Sequence, residues 1–423
     1  SLRCFMGLNQ APLLRILRIW VLFGPVGAKS QNHLIQEAPD TVREEEIKEK
    51  IHAEKDIIDV MAALIKSPGL AKHNSVTHKT GRIHFSAAPG LGYTLSTGLA
   101  GILASNSAFY TSEDADAKLS NIFADVVYTQ NRQLITHVQG TIWTKHNNYN
   151  IITDWRYLKY PQKTYGLGGH TDLNNSFDQD YSYLRLYQAV LKKIAPNFYG
   201  GLGYSLDYHW NISESSTDIF AVSDAQLYGL PDKTTSSGLT LNIMFDDRNN
   251  SINPGKGTYV NILLRDNATW MGSDQHWQSL RMDIRKYYSF PRNSDNVLAF
   301  WSFNWLTLAG NPPYLDLPST GWDPYNNMGR GYIQGRFRGK NLLYLESEYR
   351  FKITHNGLIG GVVFMNAQTV SEWPTNKFEV IAPAGGAGLR LKFNKHSKTN
   401  VAIDYGFGAG GSQGFFLNLG EVF

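Results

Sequence analysis

Apolar and polar residues alternate with a period of two along most of the chain from about residue 81 onward. The alternation is clearest in 239–245, 280–285, 389–393 and 401–407. Because successive side chains of a β-strand point to opposite faces, this pattern predicts a series of strands with one apolar face. Alternation is also typical of a soluble β-sandwich, which buries that face.

The spacing of the strands separates these two alternatives. Strands of about 10 to 14 residues are joined alternately by short turns and by much longer loops, as in an outer-membrane barrel. The long loops fall near 161–179, 211–236, 310–340 and 367–384, which places them all at one end of the sheet. The chain is therefore predicted to be all-β, a transmembrane antiparallel β-barrel of about sixteen strands with a short N-terminal periplasmic helix.

Composition agrees with a membrane barrel and argues against other classes of protein. Aromatic residues make up 13% of the 423 residues and glycine occurs 39 times, as expected for interfacial girdles and closely packed strands. No apolar run reaches the roughly 18 residues of a membrane-spanning helix. The formal net charge of +4 is too small to indicate a nucleic-acid partner.

The start of the chain carries the pattern of a secretory signal. Arg15 and Arg18 precede a short apolar core, and small residues follow at a predicted cleavage site, so 1–28 is interpreted as a signal peptide. Cys4 is the only cysteine and lies in this segment. The mature chain is thus expected to have no disulfide and no thiolate metal site.

One amphipathic helix is predicted before the strands, over about 40–66. Thr41 and Glu44 have the spacing of a capping box, and the apolar stripe suits packing on the barrel or on a second copy, or recruitment of a partner. We expect 29–80 to be a periplasmic helix and linker, and 81–423 to be the transmembrane β-barrel.

The last strand and the first are expected to meet at a seam. Residues 415–423 are apolar at odd positions apart from Glu421, which is typical of the last strand of an outer-membrane barrel. Proline removes a ladder donor and glycine adds backbone freedom, so this seam should have fewer hydrogen bonds than any neighbouring strand pair. A proline near a bulge in a permanently closed barrel is the alternative. The predicted seam residues are Pro89, Gly90, Gly414, Gly420 and Phe423.

A turn and a loop carry a resemblance to a known family. Asp246 and Arg248 follow a strand and precede Pro254 and Gly257, and this spacing resembles the periplasmic turn of the BamA/TamA/FhaC superfamily of outer-membrane barrels, the bacterial surface antigens. Proline and glycine at these positions are also ordinary hairpin punctuation. The turn alone is therefore only moderately specific.

The loop motif is the stronger match. Arg330, Gly331 and Tyr332 resemble the tip of the family's sixth extracellular loop, which folds into the lumen. Glu346 and Glu348 share one face of the next strand, and the resemblance implies that the loop arginine pairs with them. An unpaired buried charge is costly, so an arginine inside the barrel needs such a partner.

The sequence also departs from the family pattern. Asn366 stands where an aspartate is usual, Gln368 where a glycine is usual, and Gly329 where a valine is usual. Asparagine can accept a hydrogen bond from guanidinium but supplies no charge. We therefore expect the contact between loop and wall to depend mainly on Glu348 and on Glu346.

The resemblance implies a role in the bacterial outer membrane. The sequence has no room for a POTRA domain before the barrel, so it resembles the branch of the superfamily that lacks these domains. It implies a barrel in outer-membrane biogenesis that inserts or translocates proteins or lipids, with outer-membrane lipids and a periplasmic or outer-membrane protein as partners. A passive or loop-gated solute channel is the alternative.

Enzyme chemistry is not expected. No H-E-x-x-H or C-x-x-C motif occurs in the sequence. The glycines of 406–411 join two strands without a following helix, unlike a phosphate loop. We predict no catalytic residue, no cofactor and no metal.

Overall fold

The structure is a computed structural model that describes residues 54–66, 83–114, 117–216, 221–395 and 397–423. All of these belong to one compact unit, Lys50–Phe423. The predicted signal peptide at 1–28 and the first part of the predicted helix, including its capping box, lie outside the described residues.

The described residues form an antiparallel barrel in which strands pair in chain order. Sixteen strands build the nearly closed wall, and the short β6 adds to β7 at one end. This confirms the predicted fold class. The strands are β1 (His84–Thr94), β2 (Gly98–Phe109), β3 (Ser120–Thr129), β4 (Leu134–Trp143), β5 (Tyr149–Lys159), β6 (Gln162–Thr164), β7 (Phe177–Ala195), β8 (Phe198–Ser215), β9 (Lys233–Asp246), β10 (Gly257–Asn267), β11 (Trp277–Ser289), β12 (Val297–Gly310), β13 (Asn341–Lys352), β14 (Ile359–Val370), β15 (Ala382–Asn394), β16 (Thr399–Gly408) and β17 (Gln413–Leu419).

Strand lengths vary more than the sequence pattern predicts. β17 has 7 residues, whereas β7 and β8 have 19 and 18. The extra length of β7 pairs with β6 and with the far part of β8, beyond the ladder that β5 forms with β7. A hairpin therefore extends past the barrel wall at this end.

The connections distinguish the two ends of the barrel. The four longest, 160–176, 216–232, 311–340 and 371–381, all lie at one end, which is called the loop end. The opposite end is called the turn end. The strand count and the placement of the long loops agree with the sequence analysis. A miscount by one strand would have put long loops at both ends of the barrel.

The two faces of the wall differ in chemistry. Large apolar side chains are exposed on the outside of strands all around the barrel, including Leu103, Leu202, Leu241, Leu345 and Ile403. A continuous apolar outer face is what a lipid bilayer requires of a barrel. The lumenal face carries buried ion pairs, among them Arg156 with Asp154, Arg265 with Asp207, and Arg285 with Asp283.

Residues 311–340, called the inward loop, fold back from the loop end into the barrel. Tyr332 and Phe337 of this loop are buried and join a core cluster with Trp301 and Tyr344 of the wall. The ring centroids of Tyr332 and Phe337 lie 5.2 Å apart in an edge-to-face contact. The lumen is thus packed with side chains over this part of its length.

The inward loop is also tied to the loop that contains β6. The backbone N–H of Gly168 donates to the carbonyl of Arg338 at 2.8 Å. The hydroxyls of Thr164 and Tyr314 are 2.6 Å apart. These contacts hold the base of the inward loop against a second loop of the same end.

A short helix, α1 (Ile57–Leu64), lies before the barrel, and α2 (Asp224–Tyr228) lies in a loop. Asp56 caps α1, and its capping box uses Asp59, so the described helix is shorter than the predicted one. Met61 and Ile65 of the predicted apolar stripe are exposed. No helix in the described part of the chain is long and apolar enough to cross a membrane.

Candidate functional site: the inward loop and the barrel seam

The wall of the site is built by β13, whose alternation sends every second side chain into the lumen. Tyr344, Glu346, Glu348 and Arg350 are all buried on this face, whereas Leu345 on the opposite face is exposed. The strand therefore presents two carboxylates to the interior of the barrel, where each needs a cationic partner.

Arg330 of the inward loop supplies that partner. Its Nε donates to Oε1 of Glu346 at 2.9 Å, and its Nη2 donates to the same oxygen and, at 2.5 Å, to Oε2 of Glu348. Its Nη1 donates to Oδ2 of Asp404 at 2.6 Å. The guanidinium also lies 3.8 Å from the ring centroid of Phe364. One arginine thus faces three carboxylates and an aromatic ring.

The charge of Arg330 is fixed by this environment. Burial alone would lower the pKa of the guanidinium, but the facing carboxylates of Glu346, Glu348 and Asp404 raise its pKa well above the usual value. The side chain is 2% exposed. A charge held this far from solvent is stable only while its partners stay in place, so the contact joins the loop to the wall as a unit.

Glycines allow the tip of the loop to approach the wall. Gly331 has a φ of 107°, and a Cβ there would lie 2.8 Å from that of Ala384. On the wall side, a Cβ on Gly406 would lie 2.7 Å from the backbone nitrogen of Gly331. Gly329 has a φ of 88°, which explains why glycine replaces the bulkier residue that the resemblance leads one to expect.

Tyr332 continues the contact along the wall. Its hydroxyl donates to the carbonyl of Pro383 at 2.6 Å and accepts from the backbone N–H of Ala409 at 2.8 Å. A Cβ on Gly408 would lie 2.6 Å from the Tyr332 ring. The structure thus brings Arg330, Gly331 and Tyr332 together with Glu346 and Glu348.

Asn366 has a different role from the expected one. Its Nδ2 donates to the backbone carbonyl of Arg330 at 2.9 Å, so it binds the loop backbone and accepts nothing from the guanidinium. The third carboxylate comes instead from Asp404 on β16, two strands further along the wall. The alternation over 401–407 predicts that Asp404 lies on the polar face of its strand, but alternation cannot show which side chain lies across the lumen.

We predict that Asp404→Asn lowers the free energy of unfolding by roughly 1 to 3 kcal/mol, since a charged hydrogen bond in a buried site is lost. Adding Asn366→Asp should not restore stability, because the new carboxylate would face the carbonyl of Arg330. Urea unfolding in detergent measures both effects. Asp295→Asn, which breaks the exposed pair with Lys352, is the matched control and should change little. Equal losses in Asp404→Asn and the control would contradict the prediction.

The predicted turn motif is compact. Nε and Nη2 of Arg248 each donate to a carboxylate oxygen of Asp246 at 2.9 Å, and the guanidinium lies over the ring of Tyr259. Gly257 has a φ of 113°, and a Cβ there would lie 2.7 Å from the Cα of Arg248. These contacts explain the turn as a structural element.

Pro254 connects this turn to the wall. Its carbonyl accepts from Nη1 of Arg350 at 3.4 Å. Nε of the same arginine donates to Oε1 of Glu348 at 2.5 Å, and Glu348 in turn accepts from Arg330. The turn motif and the loop contact are therefore linked through one arginine on β13.

The seam lies between β1 and β17. These two strands lie side by side, but among the described residues no ladder joins them, since β1 pairs only with β2 and β17 only with β16. β1 instead forms a continuous ladder with β2 that includes both Pro89 and Gly90. At the loop end, a Cβ on Gly414 would lie 2.3 Å from Cδ2 of Leu95, so side-chain packing brings the two edges together there.

Phe423 does not form the end of a lipid-facing strand as expected. β17 ends at Leu419, Gly420 takes a φ of 103°, and the last three residues enter the lumen. Phe423 is buried there, with its ring centroid 5.2 Å from that of Trp301. Gly420 permits this departure from the wall because its positive φ is accessible to glycine.

Polar contacts hold the inward-turned residues. Glu421 accepts from Nε of Arg390 at 2.7 Å and from Nδ2 of Asn400 at 2.6 Å. The carbonyl of Phe423 accepts from Nη2 of Arg350 at 2.7 Å. The strand predicted from the alternation is present over 413–419. Beyond it, the buried contacts of Glu421 and Phe423 favour the turn into the lumen over further strand pairing.

A second buried carboxyl lies at the base of the inward loop. Oδ2 of Asp316 accepts from the hydroxyl of Ser236 at 2.6 Å, and Nδ1 of His209 lies 3.8 Å from its Oδ1. Burial and the charge of Asp207 raise the pKa of Asp316 to about 7, against an opposing effect of Arg265. Protonation of this group is thus coupled to the fold near neutral pH.

We predict that Asp316 makes the barrel less stable as pH rises. Its folded pKa lies above the unfolded value of roughly 3.9, so its stabilising contribution is complete below the unfolded value and is lost as pH rises through about 7. Asp316→Asn should therefore gain stability relative to the parent between pH 5 and pH 8, by on the order of 1 to 4 kcal/mol. Melting temperatures at both pH values measure this. The exposed Asp232→Asn is the control, and parallel curves for Asp316→Asn and the parent would refute the assignment.

The side chains of this site hold the inward loop in position and place charged groups inside the barrel. In the ranges that the structure describes, no group of three or more His, Cys, Asp or Glu residues could hold a metal ion. The site can hold a loop inside the barrel and leave one edge of the wall without a ladder.

Comparisons with known proteins show which solved structures share this architecture. No protein-family model matches the sequence, and no curated protein matches it. Solved structures do match: BamA from Haemophilus ducreyi lacking POTRA domains 1–3 has a TM-score of 0.51 and 14% identity, over 79% of this chain and 69% of that one.

Two further matches are CdiB proteins. CdiB from Acinetobacter baumannii gives a TM-score of 0.51 at 12% identity, over 81% of this chain and 60% of that one. CdiB from Escherichia coli gives 0.50 at 11% identity, over 82% and 68%. The chain thus has the fold of these bacterial barrels. The resemblance found in the sequence to the BamA/TamA/FhaC superfamily is confirmed at the level of the fold.

Proposed function

We propose that the protein is an outer-membrane biogenesis barrel that inserts or translocates proteins or lipids at its seam. The observation that carries this proposal is that, in the described part of the wall, no ladder joins β1 to β17. In a bilayer, unpaired backbone groups are costly, and a client strand or lipid headgroups could satisfy them. Every other neighbouring pair of wall strands has a ladder, so the seam is where the described wall is easiest to open.

The packed lumen supports this function over a passive pore. The contact of Arg330 with three carboxylates holds the inward loop in the barrel, and Tyr332 and Phe337 fill the space beside it. A solute passing through the lumen would have to displace this loop. Opening the seam would not require the same buried ion pairs to break.

We further propose the orientation and location of the barrel. The exposed apolar outer face favours insertion in a bilayer, and the similarity to BamA and CdiB favours the bacterial outer membrane. The turn end would face the periplasm and the loop end the exterior. Residues 1–28 would serve as the signal peptide, 29–80 would remain in the periplasm, and 81–423 would be inserted.

The two functions differ in what a deletion strain should lose. We expect quantitative proteomics of outer membranes to show depletion of particular client proteins, or altered lipid composition, while uptake of small solutes is unchanged. A plasmid-borne copy should restore the composition. An unchanged outer membrane with reduced solute uptake would reject biogenesis and favour the loop-gated channel.

A further inference from the structure

A basic cavity of about 230 Å³ opens at the turn end of the barrel, opposite the end that carries the long loops. Six cationic side chains contribute to its lining, against three carboxylates. Two of the six are arginines that pair with the lumenal carboxylates Glu348 and Asp404, so the excess of positive charge comes from the four lysines. The cationic residues are Lys256, Arg350, Lys352, Arg390, Lys392 and Lys398.

Two of the three carboxylates belong to the barrel and have barrel partners. Glu421 is bound by Arg390 at 2.7 Å, and Asp295 is bound by Lys352 at 2.8 Å. The third carboxylate, Glu54, comes from the segment that precedes the barrel. Positive charge at this cavity is thus balanced in part by a residue from outside the wall.

Glu54 makes two ion pairs in the cavity. Its Oε2 accepts from Nζ of Lys392 at 2.6 Å, and its Oε1 lies 3.4 Å from Nζ of Lys352. Burial alone would raise the pKa of Glu54, but the two ammonium groups lower it below the usual value. The side chain is therefore bound as a carboxylate.

The neighbouring residues bind the same end of the barrel, and residues 54–59 are called the acidic segment. Oδ2 of Asp56 accepts from the backbone N–H of Lys395 at 3.0 Å, and Oδ2 of Asp59 accepts from Nζ of Lys395 at 2.9 Å. The backbone N–H of Lys55 donates to the carbonyl of Asn356 at 3.0 Å. The surface thus recognises carboxylates and peptide backbone together.

We infer that the turn end is a binding surface for an acidic polypeptide of a partner protein, and that the acidic segment is its exchangeable intramolecular occupant. The backbone contact of Lys55 with Asn356 favours a polypeptide over a free anion. Met61 and Leu64 of α1 and the following Ile65 are exposed and only Ala62 of the helix is buried, so few apolar contacts oppose release. The cavity beside Glu54 leaves room for further acidic side chains. Binding at this surface does not depend on whether the seam opens.

An intramolecular occupant competes strongly with a partner. A tethered segment acts at an effective concentration on the order of millimolar, so a free peptide of similar affinity binds weakly until the tethered contacts are weakened. Removing the charges of Glu54 and Asp59 should therefore uncover the surface. Removing Lys352 and Lys392 should destroy it.

The test uses the full chain in detergent and a fluorescent peptide of residues 50–64, followed by fluorescence anisotropy. We expect Glu54→Gln with Asp59→Asn to bind the peptide about tenfold more tightly than the parent, a change of roughly 1.4 kcal/mol. Adding Lys352→Gln and Lys392→Gln should reverse this gain. Adding Lys377→Gln, which removes an exposed lysine at the loop end, is the matched control and should leave it intact.

Two competitors distinguish a peptide surface from a general anion site. The same peptide with its acidic residues replaced by amides should not compete, and inorganic phosphate at equal charge should compete poorly. Binding that is unaffected by the Lys352 and Lys392 changes would overturn the inference. So would displacement by phosphate as effective as that by the acidic peptide, or equal binding by the parent and the Glu54→Gln, Asp59→Asn chain.

Discussion

Arg330→Ala should lower the free energy of unfolding by about 3 to 5 kcal/mol, the largest stability loss expected for a single substitution in this barrel. The change removes four hydrogen bonds to Glu346, Glu348 and Asp404. It also leaves these carboxylates buried with fewer cations. The inward loop should then lose its main attachment to the wall.

Chemical unfolding in detergent micelles measures the loss, and limited proteolysis tests whether the inward loop has become accessible. Arg330→Lys keeps the charge but cannot form the same planar set of contacts, so it should be intermediate. Arg292→Ala, at an exposed turn position, is the control and should leave stability unchanged. A loss no larger than that of Arg292→Ala would show that the buried contact does not stabilise the loop.

Locking the seam should abolish function while leaving the barrel folded. Leu95→Cys with Gly414→Cys, in a Cys4→Ser background, joins the two edges where the side chain of Leu95 meets Gly414. A disulfide needs Cβ atoms about 3.8 Å apart, and the close approach at this point suits that geometry. If clients pass through the seam, the oxidised protein should fail to complement a deletion strain.

Reduction should restore activity to the locked protein, and each single cysteine should be active throughout. The matched control is Leu103→Cys with Val126→Cys, a pair directly opposite each other in the ladder of β2 and β3. A disulfide there joins two strands that are already paired and leaves the seam free to open. Full complementation by the oxidised seam variant would reject lateral opening and move the preferred function to the channel.

Local pattern was enough to predict the wall of this protein. A period of two, turn residues and loop lengths indicated an all-β barrel of about sixteen strands, because each strand records its own inner and outer face. The loop tip at 330–332 and the glutamates at 346 and 348 were also found from sequence. The resemblance to the family's sixth loop implied that they pair, and a buried arginine requires acidic neighbours.

Contacts across the lumen were decided by the tertiary structure. Asp404 joins Arg330 from β16, and Asn366 binds the loop backbone, because barrel closure sets which inward side chains meet. Alternation likewise extends to Phe423 apart from Glu421, yet the chain leaves the wall at Gly420 since Arg390, Arg350 and Trp301 bind the last three residues. The period of two predicts which face of the wall a residue occupies. Which residue it contacts on that face is determined only when the barrel closes.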